Sequence, residues 1–188
     1  MKHKHLLLLL LVMLGCLFLS SACQGTSSAE PIPGAVEVSF DFSNLGMGSG
    51  QYAFWIEDAK GNLVKTVFVT RFIPSGGYKT RRTAIPTWQS KVALPDSTID
   101  AISGSTPATS SITYAWDGTN NNGVMLPQGE YKFYLEVTLS MTLTNLYSGT
   151  VTCGTATQEA LAYETTLIGT PNTALTVAEK VVFNYIVR

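Results

Sequence analysis

An all-β fold, a sandwich of antiparallel strands, is what the sequence predicts, on three observations. Apolar and polar residues alternate strictly over long stretches, runs of Gly, Asn and Asp punctuate them, and no stretch carries an apolar stripe of period 3.6. The 23 threonines also favour strands, because a β-branched side chain packs well on a pleated surface.

In Val36-Glu-Val-Ser-Phe-Asp-Phe42 the side chains of Val36, Val38, Phe40 and Phe42 share one face, with Glu37, Ser39 and Asp41 on the other. Residues 52–57 and 63–69 flank Asp58-Ala-Lys-Gly-Asn62, which reads as a hairpin. Residues 111–116 form a further strand and lead into Asp117-Gly-Thr-Asn-Asn-Asn-Gly123, a run of turn formers. The clearest strand covers residues 131–143. Tyr131, Phe133, Leu135, Val137, Leu139, Met141 and Leu143 face one way, and Lys132, Tyr134, Glu136, Thr138, Ser140 and Thr142 the other. Val181, Phe183, Tyr185 and Val187 repeat the pattern at the C-terminal end. Residues 71–107 break it and are expected to form a long inserted loop, a length usually reserved for function or disorder. With 188 residues the chain can bury about 70% of its unfolded surface, so a core without disulfides is feasible.

Met1-Lys-His-Lys-His5 gives a basic start, residues 6–19 are an uncharged apolar run, and Ser20-Ser-Ala22 supplies small residues ahead of Cys23. Residues 1–22 therefore read as a signal peptide. The apolar run of 14 residues falls short of the roughly 20 that a spanning helix needs. Leu19-Ser-Ser-Ala-Cys23 resembles a bacterial lipobox, with Ser20 at the usual leucine position. The resemblance implies a lipoprotein signal peptide, lipidation of Cys23, and more than the single acyl chain that would bind a membrane only marginally. Residues 23–34 then act as a flexible tether to a domain over residues 35–188. Gln24 stands where an aspartate would signal inner-membrane retention, so the resemblance implies an anchor on the periplasmic face of the outer membrane.

Both histidines, His3 and His5, and one cysteine, Cys16, lie inside the expected signal. The mature chain would keep no histidine and only Cys153 besides Cys23, which excludes Ser-His-Asp and Cys-His catalysis and histidine metal ligation. Losing Lys2 and Lys4 leaves ten bases against 13 acids, and a weakly acidic domain has no electrostatic footprint for nucleic acid. Glu57 and Asp58 alternate across a strand and cannot jointly flank one substrate bond. No enzymatic activity and no metal site are expected. Asp117, Thr119 and Asn121 have calcium-loop spacing, but Gln128 takes the place of the bidentate glutamate and a β-turn accounts for them. Gly46-Met-Gly-Ser-Gly50 leads into a strand instead of a helix and reads as a loop. Cys153 reads as a small packed residue.

Two segments of the insertion carry candidate chemistry. Tyr78-Lys-Thr-Arg-Arg-Thr-Ala-Ile-Pro-Thr-Trp88 gathers Lys79, Arg81 and Arg82 beside two aromatics. It is either a positive patch for an anionic group or acidic partner, or a solvated loop anchored by Trp88. Asp100-Ala-Ile-Ser-Gly-Ser-Thr106 crowds the hydroxyls of Ser103, Ser105 and Thr106 around Gly104, whose missing side chain permits close backbone approach. It resembles the Asp-x-x-Ser/Thr-Gly-Ala-Thr motif on which a periplasmic flavin transferase esterifies FMN phosphate to the final threonine, with Ser105 in place of alanine. The resemblance implies covalent FMN on Thr106, Asp100 helping to position the transferase, and Arg81 and Arg82 pairing with the phosphate. The alternative is an ordinary Ser/Gly/Thr loop before Pro107.

Three blocks stand in fixed order: Ala53-Phe-Trp-Ile-Glu-Asp-x-x-Gly-Asn-Leu-Val-Lys-Thr66, the basic stretch ending Ile85-Pro-Thr-Trp88, and Asp100-Ala-Ile-Ser-Gly-Ser-Thr-Pro107. The last runs on to Tyr114-Ala-Trp-Asp-Gly118 and Leu126-Pro-Gln-Gly-Glu-Tyr131. Over residues 36–143 this resembles the predicted periplasmic proteins of the family called domain of unknown function twenty-two seventy-one. The resemblance implies an immunoglobulin-like sandwich related to a domain of the flagellar hook-capping protein. It also implies association with PepSY-type membrane proteins and the flavin transferase. The expected function is an envelope-anchored lipoprotein serving an extracytoplasmic redox system as non-catalytic binding partner or covalent flavin carrier. The alternative is a structural or protein-interaction module of the envelope with no redox role.

Overall fold

The computed structural model describes residues 29–42, 50–105, 110–140, 143–157, 163–169 and 178–187. The expected signal peptide, the expected lipidation site Cys23, the glycine-rich loop before Gly50 and the expected acceptor Thr106 lie outside the described residues. Among the described residues are β1 (Gly34–Phe42), β2 (Gln51–Asp58), β3 (Leu63–Thr70), β4 (Ser103–Gly104), β5 (Ser110–Trp116), β6 (Gly129–Ser140), β7 (Leu143–Cys153), β8 (Tyr163–Gly169) and β9 (Ala178–Val187). They form a smaller sheet of three strands, in the order β5-β1-β9, and a larger one of six, in the order β4-β3-β2-β6-β7-β8. Neighbours pair antiparallel except β3 and β4, which run parallel.

Strand alternation builds the sandwich. Val36, Val38 and Phe40 of β1 and Val181, Phe183 and Tyr185 of β9 meet Tyr52, Phe54 and Ile56 of β2 and Phe133, Leu135 and Val137 of β6 in one core. Burying each such side chain contributes about 1.5–3 kcal/mol. Trp116, at the end of β5, stands edge-on to Tyr131 and Phe133, with centroids 5.3 and 5.6 Å away. The hairpin expected between β2 and β3 is present, its turn closed by Asp58 Oδ1, which accepts from the backbone N–H groups of Lys60 and Asn62.

The alternation over residues 131–143 spans a reversal that periodicity does not reveal. β6 ends at Ser140, Leu143 opens β7 and pairs with Ser140, and Thr138 stands opposite Thr144. Ser140 and Leu143 differ by three across a register shift, but from Thr138/Thr144 onward opposed residues differ by an even number, so the same parity faces outward in both strands.

The expected inserted loop is instead a third layer. After β3 the chain makes a 3₁₀ turn (Gly77–Lys79), then α1 (Pro86–Lys91) and α2 (Ser97–Ala101), and returns through β4. Ile73, Ala84, Ile85, Trp88 and Ile99 share a second core with Ala53, Trp55 and Val69 on the outer face of the larger sheet. Covered on both faces, β2 reads as the unbroken apolar run Tyr52-Ala-Phe-Trp-Ile56. Helices of six and five residues are too short to write an apolar stripe, which is why the insertion looks structureless in sequence.

If this layer is part of the fold, Trp88→Ala should cost about 3–5 kcal/mol in urea unfolding. A loss below about 1 kcal/mol would make the insertion a surface appendage.

Candidate functional site

Polar chemistry concentrates at two places on the larger sheet: the buried face beneath the insertion and the exposed edge where the insertion ends. Beneath the insertion, Glu136 projects from β6 against the start of α1. Its carboxylate accepts from Thr87 N at 3.1 Å and Trp88 N at 2.9 Å, so it satisfies two of the N–H groups that a helix start leaves without partners. The residue before the helix, Ile85, is fully buried with φ of 43°, a left-handed conformation costly for a β-branched side chain. Its N–H donates to Thr138 Oγ1 at 2.7 Å, and Thr138 in turn shares a hydrogen bond with Thr144. Trp88 Nε1 donates to Thr66 Oγ1. At the far end of α1, Lys91 pairs with Glu57 at 3.0 Å, and Glu57 also accepts from Trp55 Nε1. Trp55 stacks on Tyr134, with centroids 5.0 Å apart and planes 8° from parallel.

Alternation places Glu136 and Thr138 on a polar face, as though in water, and so misses their role in docking the insertion. The signal that finds them is the apolar run of β2. It means the same face is covered, and a buried carboxylate there needs donors. Burial pushes the Glu136 pKa above the ordinary glutamate range, against the pull of the Trp88 and Thr87 hydrogen bonds.

At the exposed edge, Ser103 and Gly104 pair with Val69 and Thr70, and Arg71 N donates to Gly104 O at 2.8 Å. A Cβ on Gly104 would lie 2.7 Å from Phe68 Cε2, so the backbone approach that glycine permits is used here. Asp100, on α2, is exposed, and its Oδ1 accepts from Ser75 Oγ at 3.3 Å. Ser103 Oγ turns back to donate to Asp100 O at 2.7 Å. The next residue, Ser105, is exposed. The structure thus brings Asp100, Ser103 and Gly104 together in one turn of chain at a sheet edge. Arg81 and Arg82 lie on a separate segment, after the 3₁₀ turn. Arg82 is exposed, Arg81 is half-buried with its pKa lowered by desolvation, and Lys79 Nζ sits 5.6 Å from the Tyr78 ring centre.

The loop with calcium-like spacing is committed to β3. Lys65 Nζ donates to Thr119 Oγ1 and Asn120 O, and Asn121 Oδ1 accepts from Thr66 N. Asp117 Oδ1 accepts from Thr119 N, closing the local turn. Cys153 ends β7 fully buried in the sandwich core, and burial pushes its thiol up to about 12.

Two measurements check these environments. A pKa raised by folding contributes stability that is present below the ordinary range and lost as pH rises through the folded value. In parallel urea titrations the wild type should therefore lose ground to Glu136→Gln as pH rises above the ordinary glutamate range near about 4; a difference that is flat, or of opposite sign, rejects this. Cys153 should react with a thiol reagent only on unfolding, as read by mass spectrometry of its peptide. Stoichiometric labelling of the folded chain would contradict its burial.

No curated protein and no solved structure matches the chain. The model of a family described as predicted periplasmic protein (DUF2271) matches residues 33–168. That match contains β1 to β7 and the entire insertion, so the chain belongs to the DUF2271 family of predicted periplasmic proteins.

Proposed function

We propose that the chain is a non-catalytic, lipid-anchored carrier of the outer-membrane periplasmic face. It would hold FMN covalently on Thr106 and work with a flavin transferase and a PepSY-type membrane protein. The observation that carries this reading is the mounting of Ser103-Gly104 as a short strand at the open edge of the larger sheet, with Ser105 exposed directly after it. An acceptor hydroxyl has to enter another enzyme's active site, and the exposure of Ser105 directly after a fixed strand supports that reading.

Esterification needs an activated donor, a flavin dinucleotide. The bond from phosphorus to Thr106 Oγ forms as the phosphoanhydride breaks, the nucleoside monophosphate leaves, and the hydroxyl proton passes to the transferase. Bound flavin would supply one- or two-electron transfer. In this reading the exposed Asp100 would face the transferase, and the guanidinium groups of Arg81 and Arg82, on a separate segment of the insertion, would pair with the phosphate. Lipid on Cys23 would hold the carrier at the membrane, and the tether's last residues join the domain where Ile32 N donates to Leu126 O.

A second reading, an interaction module without redox role, draws support from two apolar side chains at the same edge. Phe72 just after β3 is 49% exposed and Ile102 just before β4 is 36% exposed. Co-expression of the full chain with a flavin transferase separates the readings. The carrier takes one FMN ester, visible by intact mass and in-gel fluorescence and lost in Thr106→Ala. An unmodified chain beside a labelled control overturns the carrier in favour of the interaction module.

A further inference from the structure

We infer that Val124 and Met125 form a membrane-docking tip: these two side chains enter the lipid surface and stand the domain on the end of the sandwich where its tether arrives. The inference rests on the lipid-anchored part of the proposed function and deepens it, because it says which end of the domain meets the bilayer.

Val124 is 59% exposed and Met125 48%, two adjacent large apolar side chains in the loop between β5 and β6. The loop is braced from within. Asn120 Oδ1 accepts from Asn122 N and Val124 N, Asn120 N donates to Val124 O at 2.9 Å, and Leu126 N donates to Gly118 O at 2.8 Å. Lys65 Nζ ties Asn120 O to β3. The pair is therefore presented outward by a fixed turn, and its paired backbone groups lower the cost of leaving water.

The tether is what makes a lipid surface the occupant. Ile32 N donates to Leu126 O at 3.0 Å and Gln128 N to Glu30 O at 2.6 Å, so the chain enters the domain along this same loop. Ile32 and Met125 close on one glycine: a Cβ on Gly118 would lie 3.2 Å from Ile32 Cβ and 3.1 Å from Met125 Sδ. Cys23 stands seven residues before Glu30, a span of at most about 25 Å, so lipid there would keep this end beside the bilayer. With Lys91 paired to Glu57, the acids Glu30, Asp58, Asp117 and Glu130 outnumber Lys60 and Lys65 at this end among the described residues. The contact is thus apolar in character, with no attraction to anionic headgroups. β3 starts at this end and β4 pairs with its last two residues, so at about 3.3 Å per residue the β4 edge stands about 20 Å farther from the bilayer.

The test uses the full chain reconstituted into phosphatidylcholine vesicles with brominated acyl chains, which quench an indole that reaches them. Trp55, Trp88 and Trp116 are buried, so the wild type is the baseline. Val124→Trp should be quenched and blue-shifted, as a side chain about 5–10 Å into the headgroup boundary would be. Phe72→Trp, exposed just after β3 at the opposite end, should stay at the baseline. The quenching should persist between about 0.1 and 1 M salt, where the screening length falls from about 10 to 3 Å. Hydrogen exchange of the wild type needs no variant: the peptide over residues 119–126 should slow at least about threefold on vesicles.

Unslowed exchange with an unquenched Val124→Trp overturns the inference, and so does equal quenching at both positions. Quenching that requires anionic lipid and vanishes in salt overturns it in favour of an electrostatic contact. A blue shift that follows chain concentration instead of lipid assigns the pair to a second copy. Where a variant fails to fold by circular dichroism, the wild-type exchange decides. An intact mass without acyl chains on Cys23 sinks the anchored reading instead, and exchange with added vesicles still decides whether the tip docks.

Discussion

The buried carboxylate of Glu136, accepting two backbone N–H groups at the start of α1, is the interaction on which the three-layer arrangement depends. Each side of the contact needs the other. A six-residue helix does not form by itself in water, because nucleation costs more than so few hydrogen bonds return. A carboxylate with no exposed surface is tolerated only when donors replace its water. The left-handed Ile85 belongs to the same bargain. Backbone strain of about 1–3 kcal/mol persists only where surroundings over-determine it. Here they do, since Thr138 holds the Ile85 N–H and the second core holds its side chain. At the other end of α1, Lys91 meets the nearly buried Glu57, so the helix is fastened by charge at both termini and by Trp88 between them.

Much of the fold is legible in sequence because a sandwich core is written in a period of two. Val36 to Phe40, Tyr131 to Leu139 and Val181 to Tyr185 all face where alternation puts them. The turn at Asp58 is legible too, because an aspartate, a glycine and an asparagine in that order supply their own hydrogen bonds. Two things are hidden for physical reasons. The reversal after Ser140 keeps the parity of the strand, so no break in the pattern marks it. The insertion is held by contacts distant in sequence, such as Trp88 to Thr66 and Thr87 to Glu136, that no local period encodes. Of the candidate site, Asp100, Ser103 and Gly104 are brought together because they are close in sequence, while the partner that matters to Gly104 is Phe68, on a different strand.

The outer edge of β3 ties fold and site together. An exposed strand edge offers unpaired backbone groups to any passing strand, and proteins cover such edges. Here two segments divide the work. Asn121 takes the Thr66 N–H through its side chain and donates its own N–H to Val64 O, while β4 pairs with Val69 and Thr70. The insertion therefore finishes at a place where the sheet itself requires a strand. That strand is only two residues long, enough to set the direction of the chain and short enough to release it to solvent at Ser105. The proposed carrier role would need this combination of a rigid mount and an exposed residue directly after it. The rest of the molecule supplies the rigidity: an aromatic core behind Phe68 and a packed layer over the far face. Neither Cys153, sealed in the core, nor Glu136 beneath α1, committed to two backbone donors, is available for surface chemistry. The edge that β4 completes is where this fold joins the exposed Ser105 to a fixed support, the two features on which the proposed carrier role rests.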